Sequence, residues 1–225
     1  STQGPDSQAS RMERWTIENS VDLYGIRNWG GGYFDISDKG EVVINPTGKD
    51  RAKVVSLMDI ISGIKERGLR MPIMLRLGDI LQSRISLLHD SFQTAIETFG
   101  YKGKYRGVFP IKVNQQQQVV EEVTQFGAQY HHGLEAGSKA ELIAAISLLK
   151  DPEACLICNG YKDEEFIDLG LYAQKMGFRC FFVIEMPSEL PLIFERAARL
   201  NIKPLIGLRI KLSTRAGGHW TESGG

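Results

Sequence analysis

Three cysteines in 225 residues, four histidines and no excess of charge of either sign remove several function classes before any motif is read. Cys155, Cys158 and Cys180 are an odd set without disulfide-framework spacing, which fits a reducing compartment. Cys155-Leu156-Ile157-Cys158 has C-x-x-C form, yet in an apolar strand-like run residues three apart point to opposite faces, so core cysteines are expected rather than a metal or redox pair. Lysine plus arginine (27) equals aspartate plus glutamate (27), so no broad basic surface for nucleic acid or anionic lipid is implied. No apolar run approaches the roughly 18 residues of a membrane span, and the N-terminus lacks a signal-peptide core, which favours a soluble, cytoplasmic protein. His131 and His132 are strand neighbours whose side chains diverge, His89 is expected on a helix surface and His219 lies near the end, so a zinc site is poorly supported. Neither Gly-x-Ser-x-Gly nor Gly-x-Gly-x-x-Gly occurs, which argues against an α/β-hydrolase and a dinucleotide-binding unit. Gly48-Lys49 is no P-loop, because Val43 stands at the earlier glycine position and Asp50 where serine or threonine should follow.

What is present is ordinary globular material, 42% hydrophobic and 24% charged. Polar residues 1–14 read as a disordered tail with a trimmed start. Residues 15–52 read as a β-rich segment of short strands and turns around Trp29-Gly30-Gly31-Gly32-Tyr33-Phe34, with Trp29, Tyr33 and Phe34 as a packing cluster. From residue 53 to 225 the pattern changes. A helix is expected over Lys53–Arg67, a strand over Pro72–Leu77 and a long amphipathic helix over Asp79–Phe99. Strands at Tyr105–Val113, Tyr130–Leu134, Cys155–Cys158, Arg179–Ile184 and Pro204–Leu212 then alternate with helices at Gln116–Phe126, Ser138–Leu149, Asp163–Met176 and Ser188–Leu200. Ser138 with Glu141 forms a capping-box pattern, and Pro191 stands in a first helical turn. A β/α repeat of roughly 22 to 33 residues is the pattern of crossover units in a parallel sheet, either a doubly wound sheet or most of an eight-unit barrel. The polar, glycine-rich Ser213–Gly225 has no closing helix and reads as a loop cut short, as expected of a fragment of something longer.

In either architecture reactive groups gather where strands end and β-to-α loops begin. Lys112, in Gly107-Val108-Phe109-Pro110-Ile111-Lys112-Val113-Asn114-Gln115, stands at such an end. An ammonium between Ile111 and Val113 is expected to be partly desolvated, which lowers its pKa and frees the amine to form imines with carbonyls; the alternative is a lysine snorkelling from a strand end into water. Glu135 follows the next strand, Asn159 and Gly160 the one after, and Arg209 lies on the last. Glu135 is equally readable as a solvated loop residue, and Arg209 as a structural ion-pair partner.

Four ordered segments resemble the biosynthetic arginine decarboxylases: Leu77-Gly78-Asp79-Ile80-Leu81, Tyr105 through Gln115, Gly133-Leu134-Glu135-Ala136-Gly137-Ser138-Lys139-Ala140-Glu141-Leu142, and Gly207-Leu208-Arg209-Ile210-Lys211-Leu212. The first is shared with the wider ornithine and diaminopimelate decarboxylase group, whereas the Tyr24-to-Phe34 entrance resembles the arginine branch. The resemblance covers nearly the whole chain from about residue 20. It implies an α/β fold, a parallel (β/α) barrel of the alanine-racemase-like pyridoxal-phosphate type, incomplete in this chain and preceded by the β-rich segment. It also implies that Lys112 carries pyridoxal 5'-phosphate as an imine, with Glu135 at the acidic position beside the cofactor and Arg209 at the basic position near its ring. The family reaction is decarboxylation of L-arginine to agmatine, early in polyamine and spermidine synthesis, and family members commonly require magnesium (Mg2+), for which the sequence itself shows no site.

The departure from the family is length. The last barrel strands, the ring-stacking histidine, the glycine-rich phosphate loop, the carboxylate on the pyridine nitrogen and the C-terminal β domain are missing. Family active sites also form between two subunits of a homo-oligomer, a dimer or higher. These 225 residues alone are therefore expected to be inactive and to hold the cofactor weakly. The rival readings are a non-catalytic barrel homologue or interaction fragment, a decarboxylase of ornithine or lysine, and an imine-forming aldolase that works without pyridoxal phosphate.

Overall fold

Residues 14–48 and 53–213 are described in a computed structural model of the chain. The expected tail, apart from Arg14, lies outside the described residues, as do Lys49, Asp50 and the stretch from Thr214 onward. Two compact units emerge, Ser1–Ser83 and Arg84–Gly225.

The first unit begins with helices where short strands and turns were expected. In α1 (Ile17–Tyr24) the Thr16 hydroxyl accepts from the Asn19 amide while the Asn19 side chain accepts from the Thr16 amide, a reciprocal cap. Gly25, in the left-handed conformation, ends α1 and opens α2 (Ile26–Gly30), which Gly31 ends in the same way. The glycines that suggested strand turns are helix stops. Three short strands follow, β1 (Phe34–Ile36), β2 (Val42–Ile44) and β3 (Val55–Ser56), in one antiparallel sheet. Val55 pairs with Ile44 rather than extending a helix, and Ser56 caps α3 (Leu57–Glu66). Of the expected aromatic cluster, Tyr33 is buried and Trp29 touches Phe34 at 5.3 Å between ring centroids, although Trp29 itself is exposed. Pro72–Leu77, expected as a strand, is assigned to none and pairs with no strand among the described residues. Its apolar side chains are half-exposed to exposed, so the run of hydrophobic residues lacks the partner that would make it a ladder.

The long α4 (Gly78–Phe99) leads into the second unit. There β4 (Val108–Pro110), β5 (Gly133–Ala136), β6 (Cys155–Cys158), β7 (Arg179–Val183) and β8 (Leu205–Gly207) form one parallel sheet whose spatial order is the sequence order. Helices α5 (Gln117–Gly127), α6 (Lys139–Leu148), α7 (Glu164–Lys175) and α8 (Glu189–Leu200) connect them. A doubly wound sheet reverses its strand order at a switch point; five strands in unbroken order instead make part of a barrel wall. Two expected strands shrink: Tyr105–Val113 becomes β4 followed by a 3-10 turn at Ile111–Val113, and Pro204–Leu212 becomes β8 alone, with Leu208, Ile210 and Leu212 exposed. No described helix is long and apolar enough to cross a membrane.

The period-two alternation of the strands sorts the sheet's two faces. Leu134, Ala136, Leu156, Cys158, Cys180 and Phe182 pack against the helices in one fully buried core. Cys158 and Cys180 meet there with sulfurs 3.5 Å apart, whereas Cys155 faces the other way, as the alternation predicts. Removing a large side chain from this core leaves a cavity, so Leu156→Ala should cost roughly 2–5 kcal/mol. The midpoint of denaturant unfolding is the check.

At the amino ends of β4 and β5 a second buried group appears. His89, expected on a helix surface, is buried with its Nε2 2.8 Å from Nδ1 of His132, and its ring stacks on Tyr130 at 4.6 Å. The sequence spacing of 43 residues hid this pair. His131 does diverge from His132 and lies against Asp151 and Glu153. Burial, reinforced by His89, pushes the His132 imidazole down to about 4 from 6.5. The unfolded chain therefore takes up a proton that the folded chain refuses. Stability from this group is complete above about pH 6.5 and is lost as the pH falls toward 4, by an amount of roughly 3 kcal/mol. Thermal unfolding across pH 4 to 7 should show a shallower decline for His132→Gln than for the parent.

Candidate active site at the carboxyl ends of the strands

The sheet face opposite the helices carries Val108, Pro110, Glu135, Ile157 and Val183, which bound a cavity of about 750 Å³ at the carboxyl ends of the strands. Parallel register brings them level, with Pro110 beside Glu135 and Glu135 beside Ile157. Lys112 enters the cavity from the 3-10 turn just past β4. That turn explains a difference from the expectation for this residue. Ile111 turns into the core, but Lys112 and Val113 are exposed, so the apolar flanks do not desolvate the ammonium.

Glu135 is a buried polar group of the site, 4% exposed, and its Oε2 has no hydrogen-bond partner among the described residues. Burial, with a smaller push from Glu141, raises its carboxyl above the ordinary value, while the Lys112 charge, a hydrogen bond with Asn159 and the Arg209 charge draw it back. Lys112, Glu135 and Arg209, chosen from separate segments of the sequence, thus line one cavity, with both cations within electrostatic reach of Glu135. Arg209 lies two residues past β8 rather than within a strand, and its Nη1 sits 3.6 Å from Glu185 Oε1.

Three further carboxylates of the lining were missed by sequence reasoning. Glu185 follows β7 by two residues, the kind of position that singled out Lys112, and could have been found by applying that rule to every strand. Glu141 was read only as a cap. It does bond Ser138, but its other oxygen is buried without a partner among the described residues. Glu189 is buried at the start of α8, where no sequence signal separates it from an ordinary first-turn acid. Asn159 and Gly160, which follow β6, line the cavity as expected of residues just past a strand end. Among the described residues no cluster of three or more His, Cys, Asp or Glu side chains is placed to hold a metal ion.

Residues 84–225 match the pyridoxal-dependent decarboxylase, pyridoxal binding domain. The chain belongs to the pyridoxal-dependent decarboxylases. Within that family it is 49% identical over 214 residues to the biosynthetic arginine decarboxylase of Gloeobacter violaceus, covering 95% of this chain and 33% of that protein. It is 45% identical over 214 residues to the one of Bacteroides thetaiotaomicron, covering 95% and 34%. The chain therefore spans about a third of the length of the curated relatives it matches. Among solved structures, the biosynthetic arginine decarboxylase SpeA from Campylobacter jejuni superposes with a TM-score of 0.73 at 34% identity, over 85% of this chain and 31% of that one. Diaminopimelate decarboxylase from M. jannaschi, at 23% identity and a TM-score of 0.52 over 82% of this decarboxylase chain and 37% of that one, shares the fold.

Proposed function

We propose that this chain forms the amino-terminal part of a pyridoxal-phosphate enzyme that decarboxylates L-arginine to agmatine and carbon dioxide in polyamine synthesis. The observation that carries the reading is the meeting of Lys112 and Glu135 in one cavity at the carboxyl ends of parallel strands, with a buried Glu135 oxygen left for a ligand. These residues fit the cofactor: an accessible amine suits a carbonyl, and an unpartnered buried carboxylate oxygen suits a polar or cationic group of the bound molecule. Pyridoxal phosphate, when bound, supplies the electron sink for the charge left as carbon dioxide departs.

The protein's share of the work follows from its own groups. Lys112 Nζ would be the amine that holds the cofactor, and its exposed position on a short turn leaves it free to move. Glu135, its carboxyl raised by burial, would orient what Lys112 holds through its unpartnered oxygen. Arg209, held beside Glu185, faces the cavity as the basic contact toward the cofactor. Ile157, Val108 and Val183 supply the apolar part of the cavity wall. With Glu189 balanced by Lys162, the remaining lining carboxylates Glu135, Glu141 and Glu185 still outnumber Lys112 and Arg209, a balance that favours a substrate with a positively charged side chain.

The same reading includes a cytoplasmic enzyme, supported by three free and buried cysteines, and a homo-oligomer, a dimer or higher, whose second subunit completes the site. A magnesium requirement belongs to it on the family resemblance. The test is a side-by-side assay of the full-length enzyme on L-arginine, L-ornithine and L-lysine with pyridoxal phosphate added. Agmatine formation with arginine far ahead of the other two supports the reading, and release of carbon dioxide from ornithine or lysine in preference to arginine contradicts it.

A further inference from the structure

Lys162 is the largest fully buried side chain of the second unit and takes no part in the chemistry above. Its ammonium donates to the Gly160 carbonyl at 2.8 Å and to the Val183 carbonyl, and faces Glu189 Oε2 at 3.4 Å, so all three of its hydrogens have acceptors. An ammonium taken out of water is costly unless its partners are well placed, and an apolar side chain of similar length would fill the same volume without that cost. What an apolar side chain would not do is bind two strand-end carbonyls to one point.

The three acceptors belong to the β6-to-α7 connection, the end of β7 and the start of α8. Glu189 Oε2, the oxygen facing Lys162, also accepts from the Glu185 amide at 3.0 Å. Glu185 Oε1 in turn accepts from the Gly160 amide at 3.0 Å and lies 3.6 Å from Arg209 Nη1. Lys162 thus touches both sides of Glu185: through Gly160, whose amide holds its carboxylate, and through Glu189, whose carboxylate holds its backbone. We propose that Lys162 is a positioning residue, its buried ammonium fixing the Gly160 and Glu185 segments so that Glu185 holds Arg209 toward the cofactor cavity.

This rests on the reading of the cavity as a pyridoxal-phosphate site, and the experiment separates the two. The dissociation constant for pyridoxal phosphate is measured on full-length wild-type enzyme, Lys162→Met, Glu185→Gln and the double variant, each also followed by thermal unfolding of the cofactor-free protein. Loss of a hydrogen bond to a charged group predicts that Lys162→Met and Glu185→Gln each weaken cofactor binding about tenfold. Because they act through one chain of contacts, the double variant should bind no more weakly than the worse single variant. A purely structural role would lower thermal stability while leaving the cofactor constant of the folded fraction unchanged, and that result overturns the proposal, as does full additivity in the double variant. Should Lys162→Met fail to fold, Glu185→Gln on a half-exposed side chain decides the matter, since unaltered cofactor affinity there also overturns it. Wild-type enzyme that binds no pyridoxal phosphate sinks the cofactor reading and this proposal together; wild-type binding that Lys162→Met matches removes this proposal alone.

Discussion

Full-length enzyme carrying Lys112→Ala is expected to release agmatine from L-arginine several orders of magnitude more slowly than the parent, even with excess pyridoxal phosphate. The size of the effect follows from the absence of a substitute amine in the cavity lining among the described residues. Lys162 is nearby in the fold, but it is buried and its three hydrogens are already engaged. Lys139, which is not among the lining residues, is paired with Asp163 and Glu165. A variant with near-normal turnover would move the nucleophile elsewhere. Glu135→Gln offers a graded companion: it keeps the shape of the side chain but removes the charge that the Lys112 ammonium feels, and a weaker hold on the cofactor is expected with the fold retained.

The largest effect on stability is expected from Gly133→Ala. A methyl group at this position would lie 1.9 Å from the Cys155 carbonyl oxygen and 2.8 Å from its carbon, both backbone atoms of the neighbouring strand. No rotamer change relieves that contact, so β5 and β6 must part, and with them the register that sets Glu135 beside Ile157. The loss should rival the whole stability of a domain, on the order of 5–15 kcal/mol, and soluble folded protein is not expected. Gly63→Ala in α3 is the contrasting control. Nothing lies within 4 Å of the methyl group there, and replacing a mid-helix glycine by alanine should stabilise by roughly 0.5–1 kcal/mol. Unfolding midpoints and soluble yield of the two variants compare a glycine required by close approach with one that is not.

The second unit was legible in the sequence because its elements satisfy several local rules at once. Cys155–Cys158 is a short apolar run between polar breaks, Asp163 caps the next helix by accepting from the Phe166 amide, and Ser138 does the same for Glu141. Alternation of such units implied a parallel sheet, and only the unbroken strand order distinguished a barrel wall from a doubly wound sheet. The first unit was less legible because glycine serves equally as a strand turn and a helix stop. The Thr16–Asn19 cap, which departs from the usual glutamate or glutamine at the third position, was the signal that α1 begins there.

The candidate site divides along similar lines. Lys112, Glu135 and Arg209 could be found because each follows or lies near a strand end in a segment of family-like sequence. The exposure of Lys112 could not, since it depends on a 3-10 turn that sends Ile111 inward and the lysine out. Glu185 and Lys162 belong to a network that closes across 27 residues of sequence, and only the folded chain brings its members together.

The central claim is that Lys112 is the amine that holds the cofactor. Full-length enzyme reduced with borohydride in the presence of pyridoxal phosphate, digested and sequenced by mass spectrometry, tests it most directly. The account predicts loss of the yellow colour and a stable pyridoxyl group on the peptide containing Pro110-Ile111-Lys112-Val113-Asn114. A pyridoxyl group on a different lysine, or a colourless protein that takes up no label, would contradict it.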